Sequence, residues 1–284
     1  MPSDKRAGQP VDMRRKVKIV TWNVMSLSGT GYQVALAREL CRHKISIAGI
    51  TEARIPGSDC QQVESTTIIH SGGSRHINGV ALFINPPFNQ ALTSWKPISD
   101  RLLLARFIHR HGHMSVIVAY APTEPSATDV KEVFYNQLAS VIQSVPPHDI
   151  LVILGDFNAT TGPPTDASRA VGPHFSGSPN DNSDRLRTLC DMHDLTVLGT
   201  WFKRLDMHRM TWLSHDGSTK KEIDHILTRH RDKGQFQSSR VYRGAEAPAN
   251  TDHVLLSAEL RISLQKMKKS QSTPKTAERS YSLL

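Results

Sequence analysis

The sequence predicts an α/β sandwich, in which two packed mixed sheets carry helices on their outer faces. Strand-like segments far outnumber helix-like ones, and several of them follow one another as meanders, which is typical of packed sheets with a few covering helices. The apolar run at residues 150–154 is typical of a strand that is buried on both faces. We therefore expect this run to lie inside a sheet.

Short apolar segments predict the strands in the first half of the chain. A helix is predicted at residues 32–43, where Val34, Leu36 and Leu40 form an apolar stripe. Strands are predicted at residues 17–23, 45–50, 79–84, 102–108 and 114–119.

The second half of the chain also contains predicted helices and strands in alternation. Apolar residues from Val130 and Val133 to Val145 recur at helical spacing, which predicts an amphipathic helix that ends before Pro146. A Gly-, Pro- and Ser-rich loop follows at residues 160–179, and then a short helix capped near Asn182 or Ser183. Further strands are predicted at residues 196–200, 210–213, 222–227, 236–242 and 254–261.

The net charge of +9 is concentrated at the two ends of the chain. Residues 1–18 carry six Lys/Arg and two Asp, and residues 261–284 carry six Lys/Arg and one Glu, so the part between them is formally neutral. Basic tails on a neutral body indicate a polyanionic partner such as DNA. Tails that only keep the chain soluble are the competing interpretation.

Three regions are expected from composition. Residues 1–15 are predicted to be a basic flexible arm, residues 16–262 the folded domain, and residues 263–284 a basic disordered tail. The chain has three scattered cysteines, no secretory signal and no apolar run long enough for a membrane span. We expect a nuclear or otherwise cytoplasmic protein that is not secreted.

Polar residues stand where the predicted strands end. Asp156 and Asn158 follow the run at residues 150–154, and the two-residue period of a strand would point both side chains the same way. Taken alone, this segment has a less favoured alternative interpretation, a strand followed by an Asx turn. Similar polar ends recur along the chain at Asn23, Glu52, Tyr120, Asp224 and His225, and Asp252 and His253.

Together these residue types predict metal-assisted hydrolysis of a phosphodiester. Oxygen ligands such as Glu52, Asp252 and the Asn23 amide suit Mg²⁺, with Mn²⁺ as the alternative. Asp156 is placed to orient water, and Asn158, Tyr120 and a protonated His253 could bind the phosphate in the transition state. Asp224 would orient His253 and raise its pKa.

The chain resembles the endonuclease/exonuclease/phosphatase family. The motifs that carry the resemblance are Thr-Trp-Asn-Val at 21–24, Thr-Glu at 51–52, Tyr-Ala-Pro at 120–122, Gly-Asp-Phe-Asn at 155–158, Ile-Asp-His-Ile at 223–226 and Thr-Asp-His at 251–253. Within the family, it is similar to the apurinic-like endonuclease domains of LINE-type non-LTR retrotransposons and to the craniofacial development protein 2-like group. The resemblance implies a four-layered, deoxyribonuclease I-like sandwich that nicks one DNA strand and leaves a 3′-hydroxyl.

The resemblance also implies roles for individual positions. Catalytic roles fall on Tyr120, Asp156, Asn158, Asp224 and His253, metal-ligand roles on Asn23, Glu52, Asp156 and Asp252, and substrate-binding roles on Thr211 and Asn158. The Asp-Gly pair within residues 214–219 predicts a tight hairpin. In the LINE-type relatives such a hairpin enters the DNA minor groove, and a plain turn is the alternative.

Two departures from the family pattern qualify the expected substrate. Repair-type apurinic endonucleases have an Asp two residues after the Asn, where this chain has Met25, which puts strong apurinic-site cleavage in doubt. No reverse transcriptase motif follows residue 262, so we expect a truncated element or a domesticated copy.

Three functions remain open from the sequence. The leading one is a Mg²⁺-dependent endonuclease acting on duplex DNA. The alternatives are a phosphatase or RNA-directed nuclease of the same fold, and a nucleic-acid-binding protein that has lost activity, since a fold does not fix a substrate.

Overall fold

The computed structural model describes residues 8–262. The strands are β1 (Val17–Asn23), β2 (Ile47–Thr51), β3 (Ser58–Val63), β4 (Thr66–Ser71), β5 (Val80–Ile84), β6 (Leu92–Ser99), β7 (Leu102–His109), β8 (Gly112–Tyr120), β9 (Ile150–Asp156), β10 (Leu195–Val197), β11 (Trp212–Leu213), β12 (Lys220–Lys221), β13 (Asp224–Arg229), β14 (Phe236–Val241) and β15 (Leu256–Leu260). The α-helices are α1 (Tyr32–Arg42), α2 (Phe88–Ala91), α3 (Thr128–Ser144) and α4 (Asp181–Met192). None of these helices combines the length and the apolar character that a bilayer crossing requires.

The strands form two mixed sheets and one small hairpin. The first sheet has the order β14-β15-β1-β2-β5-β4-β3, and the second has the order β10-β13-β9-β8-β7-β6. Each sheet contains one parallel pair near its centre, β1 with β2 and β8 with β9. The apolar run of β9 is completely buried, as predicted for a strand covered on both faces.

Three apolar clusters define four layers. One cluster lies between the sheets and contains Ile19 of β1 and Val152 of β9. A second joins the first sheet to α1, and a third joins the second sheet to α3 and α4. The order is therefore helix, sheet, sheet, helix, which confirms the four-layered α/β sandwich.

The two sheets approach each other closely around Gly49 of β2. A Cβ added at Gly49 would lie 2.7 Å from Leu154 Cβ and 3.3 Å from Val118 Cγ2, both on the opposite sheet. Protein interiors are close-packed, so no such contact can be accommodated without moving a strand. Glycine at this position therefore sets how closely β2 can pack against β8 and β9.

The amphipathic helix forms where predicted, but its buried face differs at the amino-terminal end. Val130 and Val133 were expected in the apolar stripe, yet they are 45% and 57% exposed. Lys131 is buried instead, because its Nζ donates to Glu124 O and Asp181 Oδ2. Charge pairing with the neighbouring loop and α4 overrides the apolar pattern here.

Strands β3, β4, β6 and β12 were not predicted, and several predicted boundaries differ from those of the structure. β3, β4 and β6 lie at or near sheet edges. The alternation of apolar and polar residues is weak in them, and hydrogen bonds to the neighbouring strand hold them in the sheet. Helix α4 is capped by Asn180 rather than by Asn182 or Ser183, because the Asn180 side chain accepts the Ser183 N–H in a capping box. The strand predicted at residues 196–200 ends at Val197, and a 3₁₀ turn (Leu198–Trp201) follows.

The amino-terminal segment packs on the body from residue 8 onward. Val11 pairs with His109, and both Val11 and Met13 are buried. The packed region thus begins before the predicted boundary at residue 16. Residues 1–7 and 263–284, where the rest of the arm and the tail were predicted, lie outside the described residues.

We predict that Gly49→Ala lowers the free energy of unfolding by about 2 kcal/mol or more, because the added methyl group overpacks the core between the sheets. Urea denaturation measures the change. Gly234→Ala is the matched control, since nothing lies within 4 Å of its added Cβ, and it should change stability by less than about 0.5 kcal/mol. Equal effects of the two substitutions would contradict the assigned packing role.

Candidate active site

The candidate active site is a cleft of about 400 Å³ at one end of the sandwich. The carboxyl ends of both parallel pairs, β1 with β2 and β8 with β9, lead to this end, as is usual for ligand sites in such sheets. The predicted site residues that line the cleft are Glu52, Tyr120, Asp156, Asn158, Asp252 and His253.

Asn23 lies beneath the cleft and joins the two sheets. Its Nδ2 donates to Glu52 Oε1 and to Asp156 Oδ2, both at 3.0 Å, while its Oδ1 accepts the Met25 N–H. The side chain is fully buried. Asn23, which was predicted as a metal ligand, orients two carboxylates through Nδ2, and its Oδ1 has a second lone pair beyond the one that accepts the Met25 N–H.

Glu52 is an ionised carboxylate held by three donors. Burial raises its pKa, but hydrogen bonds from Asn23, Arg54 and Tyr120 outweigh burial, so the pKa lies below the ordinary value. Tyr120 OH donates to Glu52 Oε1 at 3.0 Å. Burial, with the nearby charges of Glu52 and Asp156, raises the pKa of Tyr120 far above its usual range, so the phenol is a neutral donor.

Asp156 has the environment of a general base. Burial and then the charge of Asp224 raise the pKa of Asp156 to about 7. Its Oδ1 accepts the Asn158 N–H at 2.9 Å. A carboxylate whose pKa lies near neutrality can take a proton from water and release it again.

His253 is held by Asp224 and points toward Asp156. The His253 Nδ1 lies 2.8 Å from Asp224 Oδ2, and its Nε2 lies 3.9 Å from Asp156 Oδ2. Burial lowers the pKa of His253, but the charge and hydrogen bond of Asp224, with Asp156 and Asp252, raise it to about 10. The ring therefore carries both protons at neutral pH, and its Nε2–H faces the cleft.

Asn158 reaches the cleft by a turn rather than by strand alternation. Its φ of 49° is left-handed, and its backbone N–H closes an Asx turn on Asp156. Asp156 and Asn158 both line the cleft, but this turn brings them there and not the strand periodicity from which their common direction was predicted. Asn158 Nδ2 donates one hydrogen bond to Ala121 O at 3.1 Å, and among the described residues no acceptor takes its second N–H, which is available to a ligand.

Comparison with known proteins agrees with this arrangement. The sequence profile described as the Endonuclease/Exonuclease/phosphatase family matches residues 20–263. The chain belongs to this family. Its order of strands and motifs is therefore a family arrangement rather than a chance collection of polar strand ends.

Craniofacial development protein 2 of Bos taurus is 31% identical over 248 residues, which are 87% of this chain and 41% of that protein. The protein of the same name from Tragulus javanicus is also 31% identical and is covered to 42%. The chain thus spans less than half the length of these relatives, and the similarity that the motifs predicted is confirmed.

Two solved structures show the same fold. The AP endonuclease LMAP from Leishmania major has a TM-score of 0.67 at 12% identity, and the match covers 91% of this chain and 96% of that one. The endonuclease domain of TRAS1, a telomere-specific non-LTR retrotransposon, has a TM-score of 0.60 at 16% identity, with coverages of 88% and 100%. Both matches confirm the deoxyribonuclease I-like architecture.

The oxygen donors of the cleft are of the chemical type that a divalent cation prefers. Glu52, Asp156 and Asp252 all line the cleft. Asp156, Asp224 and His253 also offer ligand atoms within 4.8 Å of one another. The His253 Nδ1 is engaged by Asp224, however, so we assign the carboxylates rather than this imidazole to an ion.

Thr211 was predicted to bind substrate, and the structure does not place it in the cleft. Its side chain is completely buried, and its hydroxyl oxygen accepts the N–H groups of Ile223 and Asp224, both at 3.1 Å. Thr211 therefore fixes the start of β13. That position in turn holds the Asp224 carboxylate against His253.

The predicted hairpin at residues 214–219 is present between β11 and β12. Gly217 has a φ of 70°, which explains the Asp-Gly pair. The Asp216 carboxylate accepts hydrogen bonds from the Ser214 and Ser218 hydroxyl groups. These three side chains are therefore occupied within the turn.

Arg54, Trp212 and Lys221 are among the cleft residues that were not singled out from the sequence. Arg54 Nη2 donates to Glu52 Oε2 at 2.6 Å. Trp212 Nε1 donates to Asp252 Oδ2 at 2.7 Å, and Lys221 Nζ lies 5.7 Å from the Trp212 ring centre. Arg54 stands two residues after Glu52, which is the only sequence signal that links it to the site.

We predict that the imidazole of His253 titrates well above pH 7. Asp224→Asn should lower the pKa of His253 by at least about one pH unit, because the negative charge of Asp224 is the main interaction that stabilises the protonated imidazole. Histidine NMR titration measures both values. Asp252→Asn should have a smaller effect, because the Asp252 side chain is 40% exposed and its Oδ1 is 3.8 Å from Nε2. A larger effect for Asp252 would refute the assigned orienting partner.

Proposed function

We propose that the protein is a divalent-metal-dependent phosphodiester hydrolase that nicks one strand of DNA and leaves a 3′-hydroxyl. The observation that carries the proposal is the facing pair of Asp156 and His253. A buried base with a pKa of about 7 lies 3.9 Å from a fixed imidazolium. Hydrolysis of a phosphodiester needs both a proton acceptor for water and a donor for the phosphoryl oxygens.

The roles follow from the contacts. Asp156 accepts the proton of the attacking water, and the water oxygen forms the new bond to phosphorus. His253 Nε2–H and the free N–H of Asn158 bind the phosphoryl oxygens, where negative charge increases in the transition state. Tyr120 keeps its proton and donates to Glu52. The bond between phosphorus and O3′ breaks, and the leaving oxygen becomes the 3′-hydroxyl by taking a proton from solvent water.

Glu52, Asp156 and Asp252 would hold a divalent ion, with Mg²⁺ proposed and Mn²⁺ as the alternative. Such an ion neutralises charge on the phosphoryl oxygens when it is bound. Asn23 keeps Glu52 and Asp156 in place through its two hydrogen bonds.

An extended substrate is favoured over a small phosphoester. Two further cavities, of about 380 and 540 Å³, adjoin the cleft, and His253 lines all three. This continuous surface suits a polymer that continues on both sides of the reacting phosphate. We propose duplex DNA as that polymer, bound with help from the charged tails of +4 and +5, and nuclear location as the setting.

The same geometry leaves a phosphatase or RNA-directed nuclease as the second candidate, because fold does not determine substrate. A binding protein that has lost activity is disfavoured by the preserved acid-base pair. The decisive measurement is nicking of supercoiled plasmid with Mg²⁺ against EDTA. We expect metal-dependent nicking whose ends prime a DNA polymerase without further processing, since a polymerase requires a 3′-hydroxyl.

Asp156→Ala should abolish nicking while DNA binding persists, because the proton acceptor is lost and the outer surface is unchanged. Circular dichroism checks that the variant is folded. Asp184→Ala, at a carboxylate of α4 outside the cleft, is the matched control and should nick normally. Absence of nicking by the folded wild-type protein would redirect the function to RNA or phosphatase substrates.

We predict a bell-shaped pH dependence of nicking. The rate should rise as Asp156 loses its proton near pH 7 and fall as His253 loses its proton near pH 10.

His253→Ala should slow nicking by at least about 10²-fold, as loss of a transition-state donor typically does, and should remove the alkaline limb of the pH profile. A rate that stays near normal would exclude His253 as the donor.

A further inference from the structure

In the candidate cleft, a positively charged side chain, Arg54, already contacts Glu52, the main candidate metal ligand. Arg54 Nη2 donates to Glu52 Oε2 at 2.6 Å, whereas Glu52 Oε1 accepts from the neutral donors Asn23 and Tyr120. Within residues 8–262, the Arg54 Nε atom is buried without a hydrogen-bond partner. The guanidinium is therefore held chiefly by one carboxylate oxygen.

Backbone hydrogen bonds hold the chain on either side of the Glu52–Arg54 ion pair. Any separation of this pair must therefore come from movement of the side chains. Glu52 and Arg54 both have a φ of 52°, which non-glycine residues rarely adopt. The Ala53 N–H donates to Gly79 O, and the Arg54 N–H donates to Asn78 O, both at 2.9 Å. Gly79 is required there, because an added Cβ would lie 2.9 Å from Arg54 N.

The Arg54 side chain, in contrast, has room to move. It is 36% exposed and lines the cleft together with Met25. Met25 offers no carboxylate, so Glu52 is the acid that engages this guanidinium in the structure. A guanidinium that leaves Glu52 would still face the cleft, where phosphate oxygens are suitable partners.

We propose that Arg54 is a resident cation that a divalent ion must displace from Glu52, so that Arg54 sets the ion concentration at which the site loads. The inference rests on the metal site of the proposed function. Its physical basis is that an oxygen bonded to a guanidinium is a poor ligand for a second cation, and that like charges repel at short range. Displacement also frees Arg54 to bind the substrate phosphate, which couples ion loading to DNA binding.

The test is titration of the EDTA-treated full chain with Mn²⁺ alone, followed by calorimetry and by electron paramagnetic resonance of free Mn²⁺. Arg54→Gln should bind Mn²⁺ roughly twofold to fivefold more tightly than wild type, which is the range expected for removing a competing, partly exposed ion pair. Arg38→Gln is the matched control, since it breaks a different exposed Arg–Glu pair, with Glu64, and should leave Mn²⁺ affinity unchanged.

Thermal unfolding gives a second readout that does not depend on activity. Mn²⁺ should raise the midpoint of Arg54→Gln more than that of wild type at the same ion concentration, because tighter binding to the folded state stabilises it more. Arg54→Lys, which keeps the charge, should behave like wild type or lie between the two. A folded Arg54→Gln protein in EDTA shows that any change in affinity is local.

The outcomes separate this inference from the proposed function. Equal or weaker Mn²⁺ binding by Arg54→Gln, with binding in wild type that Glu52→Gln abolishes, would overturn the role of Arg54 and keep the metal site. No Glu52-dependent binding in either protein would overturn the metal site and this inference with it. Tighter, Glu52-dependent binding in Arg54→Gln would support both.

Discussion

The whole site depends on the close packing of two sheets. Gly49 lets β2 lie against Leu154 of β9, and this contact brings the ends of two separate parallel strand pairs together. The fully buried side chain of Asn23 spans the resulting gap and hydrogen-bonds to Glu52, which directly follows β2 of the first sheet, and to Asp156, which ends β9 of the second. A small shift between the sheets would therefore separate the candidate ion ligand from the candidate base.

Burial at this junction also sets the electrostatics. Asp156 and Asp224 face each other across β9 and β13, and the low polarity around them raises the pKa of Asp156. The same carboxylates keep His253 protonated. One environment thus produces a base and an acid side by side, which is the requirement for moving a proton during hydrolysis.

Much of the site could be predicted because strand ends are local features. Asp156 follows an unbroken apolar run, and Asp252 and His253 precede another strand. The sequence alone therefore shows which residue types stand at these strand ends. The contact of Asp224 with His253 was predicted by analogy with other orienting pairs. Edge strands such as β3 and β6 were missed because their order comes from pairing rather than from an apolar pattern.

The sequence by itself determined the family, the layered α/β architecture and the set of acids, amides and imidazoles. Only the tertiary structure decided how those groups divide their tasks. It buries Thr211 and Asn23 as supports, pairs Glu52 with Arg54, and places Lys131 inside while Val130 lies outside. The physical reason is that hydrogen bonds and ion pairs between distant segments depend on sheet packing, which local patterns do not encode.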